Sequence, residues 1–129
     1  MSSIKTNSLI VHGTRAVLLA VTACLLMAPR TSVEQQAPRR IEIVAKRFEY
    51  IPREITLKKG EPVILVLTSQ DVPHGLKFSE LNLETDNIKK GTQTELAFTP
   101  QKTGTFVGHC SHFCGSGHGS MTLTLHVVE

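Results

Sequence analysis

Short apolar-polar alternations dominate the last ninety positions of the chain. "IEIVA" (Ile41–Ala45) alternates, and "EITL" (Glu54–Leu57) does so again before the turn "KKGEP" with Gly60 and Pro62. "VILVLTS" (Val63–Ser69) is a continuous apolar run, the pattern of a strand covered on both faces. "GLKF" (Gly75–Phe78) is short. "TQTELAFT" (Thr92–Thr99) lies between the turns "KKG" (Lys89–Gly91) and "PQKTG" (Pro100–Gly104). "TFVGH" (Thr105–His109) and "MTLTLHVV" (Met121–Val128) complete the set. No stretch here sustains a helical period. Short strands at about ten-residue spacing with Gly/Pro turns predict an all-β domain of six or seven strands, a β-sandwich or barrel. In a Greek-key sandwich, loops between distant strands gather at one end.

The first forty residues have a different pattern. Lys5 and Arg15 precede the apolar run "AVLLAVTACLLMA" (Ala16–Ala28). Its length fits the apolar region of a signal peptide and falls short of the ~20 residues that span a bilayer with ease. Residues 1–28 are therefore expected to be a signal peptide or membrane anchor. "VTAC" (Val21–Cys24) is similar to a bacterial lipobox, which would place a lipid on Cys24. Each variant exports the domain, to the periplasm or the outer face of the cytoplasmic membrane. Polar "PRTSVEQQAPRR" (29–40), with two prolines, is the expected linker, and residues 41–129 the folded domain.

Composition narrows the function classes. The 129 residues are 40% hydrophobic and 19% charged, which suits a compact domain rather than a disordered chain. The net charge of +3 arises in residues 1–30: Lys5, Arg15 and Arg30 are three of the fourteen basic residues, leaving eleven against eleven acids. The remainder is formally neutral, with no basic stripe interleaved with aromatics, so nothing supports nucleic-acid binding.

The chemistry is concentrated in "HCSHFCGSGHGSM" (His109–Met121). Outside the leader, Cys110, Cys114 and Met121 are the only sulfur residues, and three of the six histidines lie beside them. His74 stands upstream in the inter-strand segment "SQDVPHG" (Ser69–Gly75). Thiolate, imidazole and thioether together favour copper. Four arrangements use parts of this set. A Cys110–Cys114 disulfide would account for neither His118 nor Met121. A zinc site of Cys110, Cys114, His118 and His74 leaves Met121 as a core residue. A mononuclear blue-copper site takes His74, Cys114, His118 and Met121 and leaves Cys110 over. A binuclear copper site employs all five side chains, with two bridging thiolates, one imidazole per metal, Met121 on one metal and a backbone carbonyl on the other.

"CSHFCGSGHGSM" resembles the C-x-x-x-C-x-x-x-H-x-x-M loop of the CuA domain of cytochrome c oxidase subunit II, and "TSQDVPHG" resembles that family's upstream histidine segment. The resemblance extends from about Ile41 to Val128 and is nearest to the short, single-anchor type. It implies a cupredoxin-like Greek-key β-sandwich holding two copper ions on His74, Cys110, Cys114, His118 and Met121, with the carbonyl of His112 on the second copper. It also implies electron transfer from a cytochrome c-like donor to a haem in an oxidase partner, with membrane attachment through the N-terminal segment. The tryptophan-rich segment of larger subunits II is absent, since the chain has no Trp. Five side chains and a carbonyl leave no open metal position, so an electron carrier is expected rather than a catalyst. The competing classes are a periplasmic copper-binding or delivery protein and a zinc-stabilised interaction domain.

Several neighbours are candidates for supporting roles. Asp71 could orient His74 by a hydrogen bond or cap its loop. His109 is expected at the edge of the site or the surface, and His126 on the solvent face of the last strand. Gly115, Gly117 and Gly119 are expected to serve a tight backbone. Phe113 either shields the metals or packs in the core.

Overall fold

The computed structural model describes residues 36–129. The leader 1–28, with Cys24, and positions 29–35 of the expected linker lie outside the described residues. Nine strands form two sheets: β1 Arg39–Lys46, β2 Glu49–Ile51, β3 Glu54–Lys58, β4 Val63–Ser69, β5 His74–Phe78, β6 Leu83–Ile88, β7 Thr94–Phe98, β8 Gly104–His109 and β9 Thr122–Val128. One sheet has the order β2-β1-β4-β7 and the other β3-β9-β8-β5-β6. The chain passes repeatedly from one sheet to the other, as in a Greek-key sandwich. No α-helix occurs among the described residues.

Alternation decides which face each strand buries. Ile43 and Ala45 of β1, Ile55 and Leu57 of β3, and Leu123, Leu125 and Val127 of β9 all point into the core. Phe106 of β8 joins them, with Leu76 and Phe78 of β5. In β4 the inward Val63, Leu65 and Leu67 are joined by Val66, buried on the opposite face, as its unbroken apolar run requires. Each fully buried large side chain stabilises the fold by about 1.5–3 kcal/mol relative to exposure. Parallel pairing of β1 with β4, from Arg39↔Val63 to Ala45↔Ser69, makes both strands end at the same edge. β3 and β9 pair in parallel over Glu54↔Thr124 to Lys58↔Val128.

Two strands exceed the six or seven expected. β2 has three residues, and β6 reads "LETDNI", with Ile88 its one buried position. Both are edge strands, and an edge needs only one partner and tolerates charge on its free side. β1 starts at Arg39, slightly ahead of the expected boundary at 41.

Three connections meet beyond the ends of β1, β4 and β8. They are the β1–β2 turn, the β4–β5 loop and the β8–β9 loop. Gln70 N–H donates to the Ala45 carbonyl at 3.0 Å, and Cys110 N–H to the Met121 carbonyl at 3.1 Å, which closes the base of the long loop.

Candidate metal centre

His74 opens β5 and is completely buried. Its Nε2 lies 2.8 Å from Asp71 Oδ1. Burial pushes the Asp71 carboxyl up, but the Arg47 N–H, His74 and the Val72 N–H overcome this and hold it at about 2. Asp71 is therefore ionised, and an ionised carboxylate only accepts, so Nε2 carries the proton. Nδ1, the lone pair of the neutral ring, is buried and has no hydrogen-bond partner. An unpaired buried polar atom costs about 1–3 kcal/mol, and binding a cation offsets that cost. The orienting role expected of Asp71 is thus present.

The sulfur atoms gather near this ring. Cys110 and Cys114 are buried free thiols with Sγ atoms 3.8 Å apart. Their sulfurs and a His74 ring nitrogen all lie within 4.8 Å of one another, close enough to hold a metal ion. His118 Nδ1 is 3.9 Å from Cys114 Sγ, and the fully buried Met121 Sδ is also 3.9 Å from it. The His112 carbonyl accepts from Cys110 Sγ at 3.1 Å, while the residue itself is exposed. The two sulfurs therefore have different neighbours: Cys110 faces the carbonyl, and Cys114 faces His118 and the thioether. All six candidate positions converge; His118 approaches through Cys114 and stands outside the tight group of three.

Burial, then the neighbouring Cys110, pushes the Cys114 thiol up to about 11, and Arg47 acts in the opposite direction. Burial, then Cys110, also raises the Tyr50 hydroxyl. Near neutral pH the Cys114 thiol keeps its proton until a cation replaces it, so binding releases protons.

Local packing shapes the loop. Gly115 has φ of +133°, and a Cβ there would sit 3.1 Å from the Phe48 ring. At Gly117 a Cβ would meet Phe48 Cε2 at 2.9 Å. The loop backbone thus rests directly on Phe48, as only glycine allows. Gly119 meets nothing. A 3-10 turn over His118–Ser120 sets the spacing between His118 and Met121, with Met121 N–H donating to the His118 carbonyl at 3.3 Å. Phe113 does not pack in the core: it is 76% exposed and its ring leans on His118, with centroids 5.8 Å apart. His109 is exposed at the end of β8. His126 stands on the solvent side of β9, between Thr105 and Glu54.

Three residues of "KRFEY" complete the surroundings without having been visible in the sequence. Arg47 Nε donates to the Cys114 carbonyl at 2.9 Å. Phe48 carries the glycines, and buried Tyr50 donates its hydroxyl to the Gly75 carbonyl. Tyr50, the chain's single tyrosine, was the one available signal.

A two-sheet Greek-key sandwich with a His, Cys, Cys, His and Met cluster between its end loops defines a small metal-binding β-domain. Residues 16–123 match the cupredoxin-like domain family, and the chain belongs to it. Cytochrome c oxidase subunit 2 of Thermus thermophilus is 28% identical over 103 residues, covering 78% of this chain and 76% of that protein. A second T. thermophilus cytochrome c oxidase subunit 2 is matched over 61% of its length, so the chain spans under two thirds of that relative. The periplasmic domain of cytochrome oxidase subunit II from Bradyrhizobium japonicum superposes with a TM-score of 0.65 at 23% identity, over 73% of this chain and 86% of that one. A chain of a heme-copper terminal oxidase dimer gives a TM-score of 0.62 at 25% identity, over 89% and 95%.

Proposed function

We propose that this domain is an exported electron carrier that holds two copper ions in a CuA-type centre. The observation that carries this is the donor set: two thiols 3.8 Å apart, with a carbonyl beside one and a thioether and imidazole beside the other. The buried Nδ1 of His74 adds the second imidazole. His74, Cys110, Cys114, His118 and Met121 would hold the metal through side chains, and His112 through its carbonyl. A zinc or mononuclear site would leave one of these side chains unused. Bridged copper ions supply one-electron chemistry with the charge spread over two metals.

The protein's part is to keep the donors still. The residues that fix the loops, Asp71 and Phe48, limit rearrangement when the charge changes, which favours fast transfer. Full burial of His74 and Met121 keeps water away. The partners proposed are a cytochrome c-like donor and a haem-containing oxidase subunit as acceptor. The relatives' names support this, as does the absence of an open position for substrate in the proposed ligand set. The site of action is the periplasm or the outer face of the cytoplasmic membrane, with residues 1–28 as signal or anchor.

Cys110→Ser is the test. It leaves His74, Cys114, His118 and Met121, a complete single-copper set. Copper per domain, measured by elemental analysis, should fall from two to one, and the spectrum should become a single-copper type. A parent protein that binds one copper, with a spectrum unchanged by Cys110→Ser, overturns the binuclear proposal.

A further inference from the structure

Arg47 makes two contacts that the proposed ligand set does not explain. Its backbone N–H donates to Asp71 Oδ2 at 2.8 Å, and its side-chain Nε donates to the Cys114 carbonyl at 2.9 Å. The other oxygen of the same carboxylate, Oδ1, accepts from the Val72 N–H at 2.7 Å and sits 2.8 Å from His74 Nε2. One residue of the β1–β2 turn therefore bonds to both loops that bear the candidate ligands. Those loops lie about forty residues apart in the sequence, and neither of the two tethers is a strand pairing.

We propose that Arg47 is a positioning residue that ties the Cys114 segment of the long loop to the His74 loop and fixes where the Cys114 sulfur stands. Three features support this. The bond is charge-assisted, and such bonds are stronger and more directional than neutral ones. It ends on the carbonyl of Cys114 itself, so a shift there moves Sγ directly. Gly115, the next residue, has a positive φ and rests on Phe48, so the backbone is held on both sides of that carbonyl.

The hairpin does not depend on this contact. β1 and β2 pair through Val44↔Ile51, Ala45↔Tyr50 and Lys46↔Glu49, and Tyr50 is anchored in the core. Arg47→Gln should therefore fold with an unfolding midpoint near that of the parent. It should change the site in two measurable ways. In the metal-free protein, alkylation of Cys114 by iodoacetamide, followed by mass spectrometry, should accelerate about tenfold, the factor that matches ~1.4 kcal/mol of lost restraint. Cys110, whose carbonyl Arg47 does not touch, should label at nearly the parent rate. In the copper-loaded protein, transfer to a Cu(I) chelator should quicken roughly 10- to 100-fold, the usual effect of removing a group that orients a ligand. Arg47→Lys, which keeps the charge but offers a single point donor, should fall between the two and serves the same purpose if the Gln variant folds poorly.

This inference rests on the copper proposal for the release measurement alone. If the parent takes up no copper while Arg47→Gln still exposes Cys114 to alkylation, the copper proposal fails and the positioning role stands. If the parent binds copper and the variant matches it in both Cys114 labelling and copper release, Arg47 does not position the site.

Discussion

Gly75→Ala applies one added carbon at the point where the two ligand loops touch. A Cβ at Gly75 would stand 2.8 Å from the His112 backbone nitrogen and 3.0 Å from the Thr85 carbonyl oxygen, with the Ser111 hydroxyl closer still. Ser111 can rotate away, but it then loses its 3.2 Å hydrogen bond to the Thr85 carbonyl. That loss costs about 0.5–1.5 kcal/mol. The His112 nitrogen and Thr85 oxygen are backbone and cannot step aside alone, so the remainder is overpacking, about 1–3 kcal/mol. Together these give a loss on the order of 2–4 kcal/mol, which at a urea slope of ~2 kcal/mol/M lowers the midpoint by roughly 1–2 M. The displaced segment carries the His112 carbonyl and follows Cys110, so metal loading should weaken too. Urea denaturation of the metal-free protein, monitored by far-UV circular dichroism, reads the first effect, and a copper titration reads the second. Gly75→Ala/Ser111→Ala should recover little of the loss, because the Ser111 hydrogen bond is missing there too and the backbone contacts persist. A Gly75→Ala protein with the parent's midpoint and full copper loading refutes the close seating of the loop on β5.

Two further outcomes are expected. Met121→Leu keeps the buried volume and removes a weak thioether donor, so copper should stay bound with a shifted reduction potential, whereas His118→Ala should lose most of the copper; loss of all binding in Met121→Leu would mean that Met121 is not an axial donor. Glu49 is held below the ordinary glutamate value by hydrogen bonds from Arg53, then Lys46. A carboxyl with a lowered folded pKa adds stability that is complete above the unfolded value and disappears as pH falls through the folded one. Urea midpoints of Glu49→Gln should thus trail the parent near neutral pH and converge with it under acid; a constant gap from pH 7 to pH 3 contradicts the pairing.

Legibility in the sequence followed burial. β4 coincides with "VILVLTS" because a strand covered on both faces is apolar throughout. β9 was visible because Leu123, Leu125 and Val127 alternate with polar neighbours. β6 was not, since an edge strand with Glu84 and Asp86 outward has the composition of a loop. The ligand candidates stood out by type: few side chains bind soft metals, and five of them stood in loops or at strand starts beside them. Asp71 could be inferred because it lies three residues from His74. Arg47, Phe48 and Tyr50 could not. They reach Cys114, Gly117 and Gly75 across 67, 69 and 25 positions, through contacts created only by folding. Of the two places open to Phe113, the core one fails for the opposite reason: an aromatic between two buried cysteines suggests burial, yet the loop turns its ring outward against His118.

A CuA-type centre requires two copper ions to share the Cys110 and Cys114 sulfurs. Loading the purified domain with copper and recording copper content together with the electron paramagnetic resonance spectrum tests it most directly. The expected result is two coppers per domain and a hyperfine pattern from one unpaired electron spread over two equivalent nuclei. One copper with a single-nucleus pattern, or a colourless protein that retains zinc in preference to copper, contradicts it.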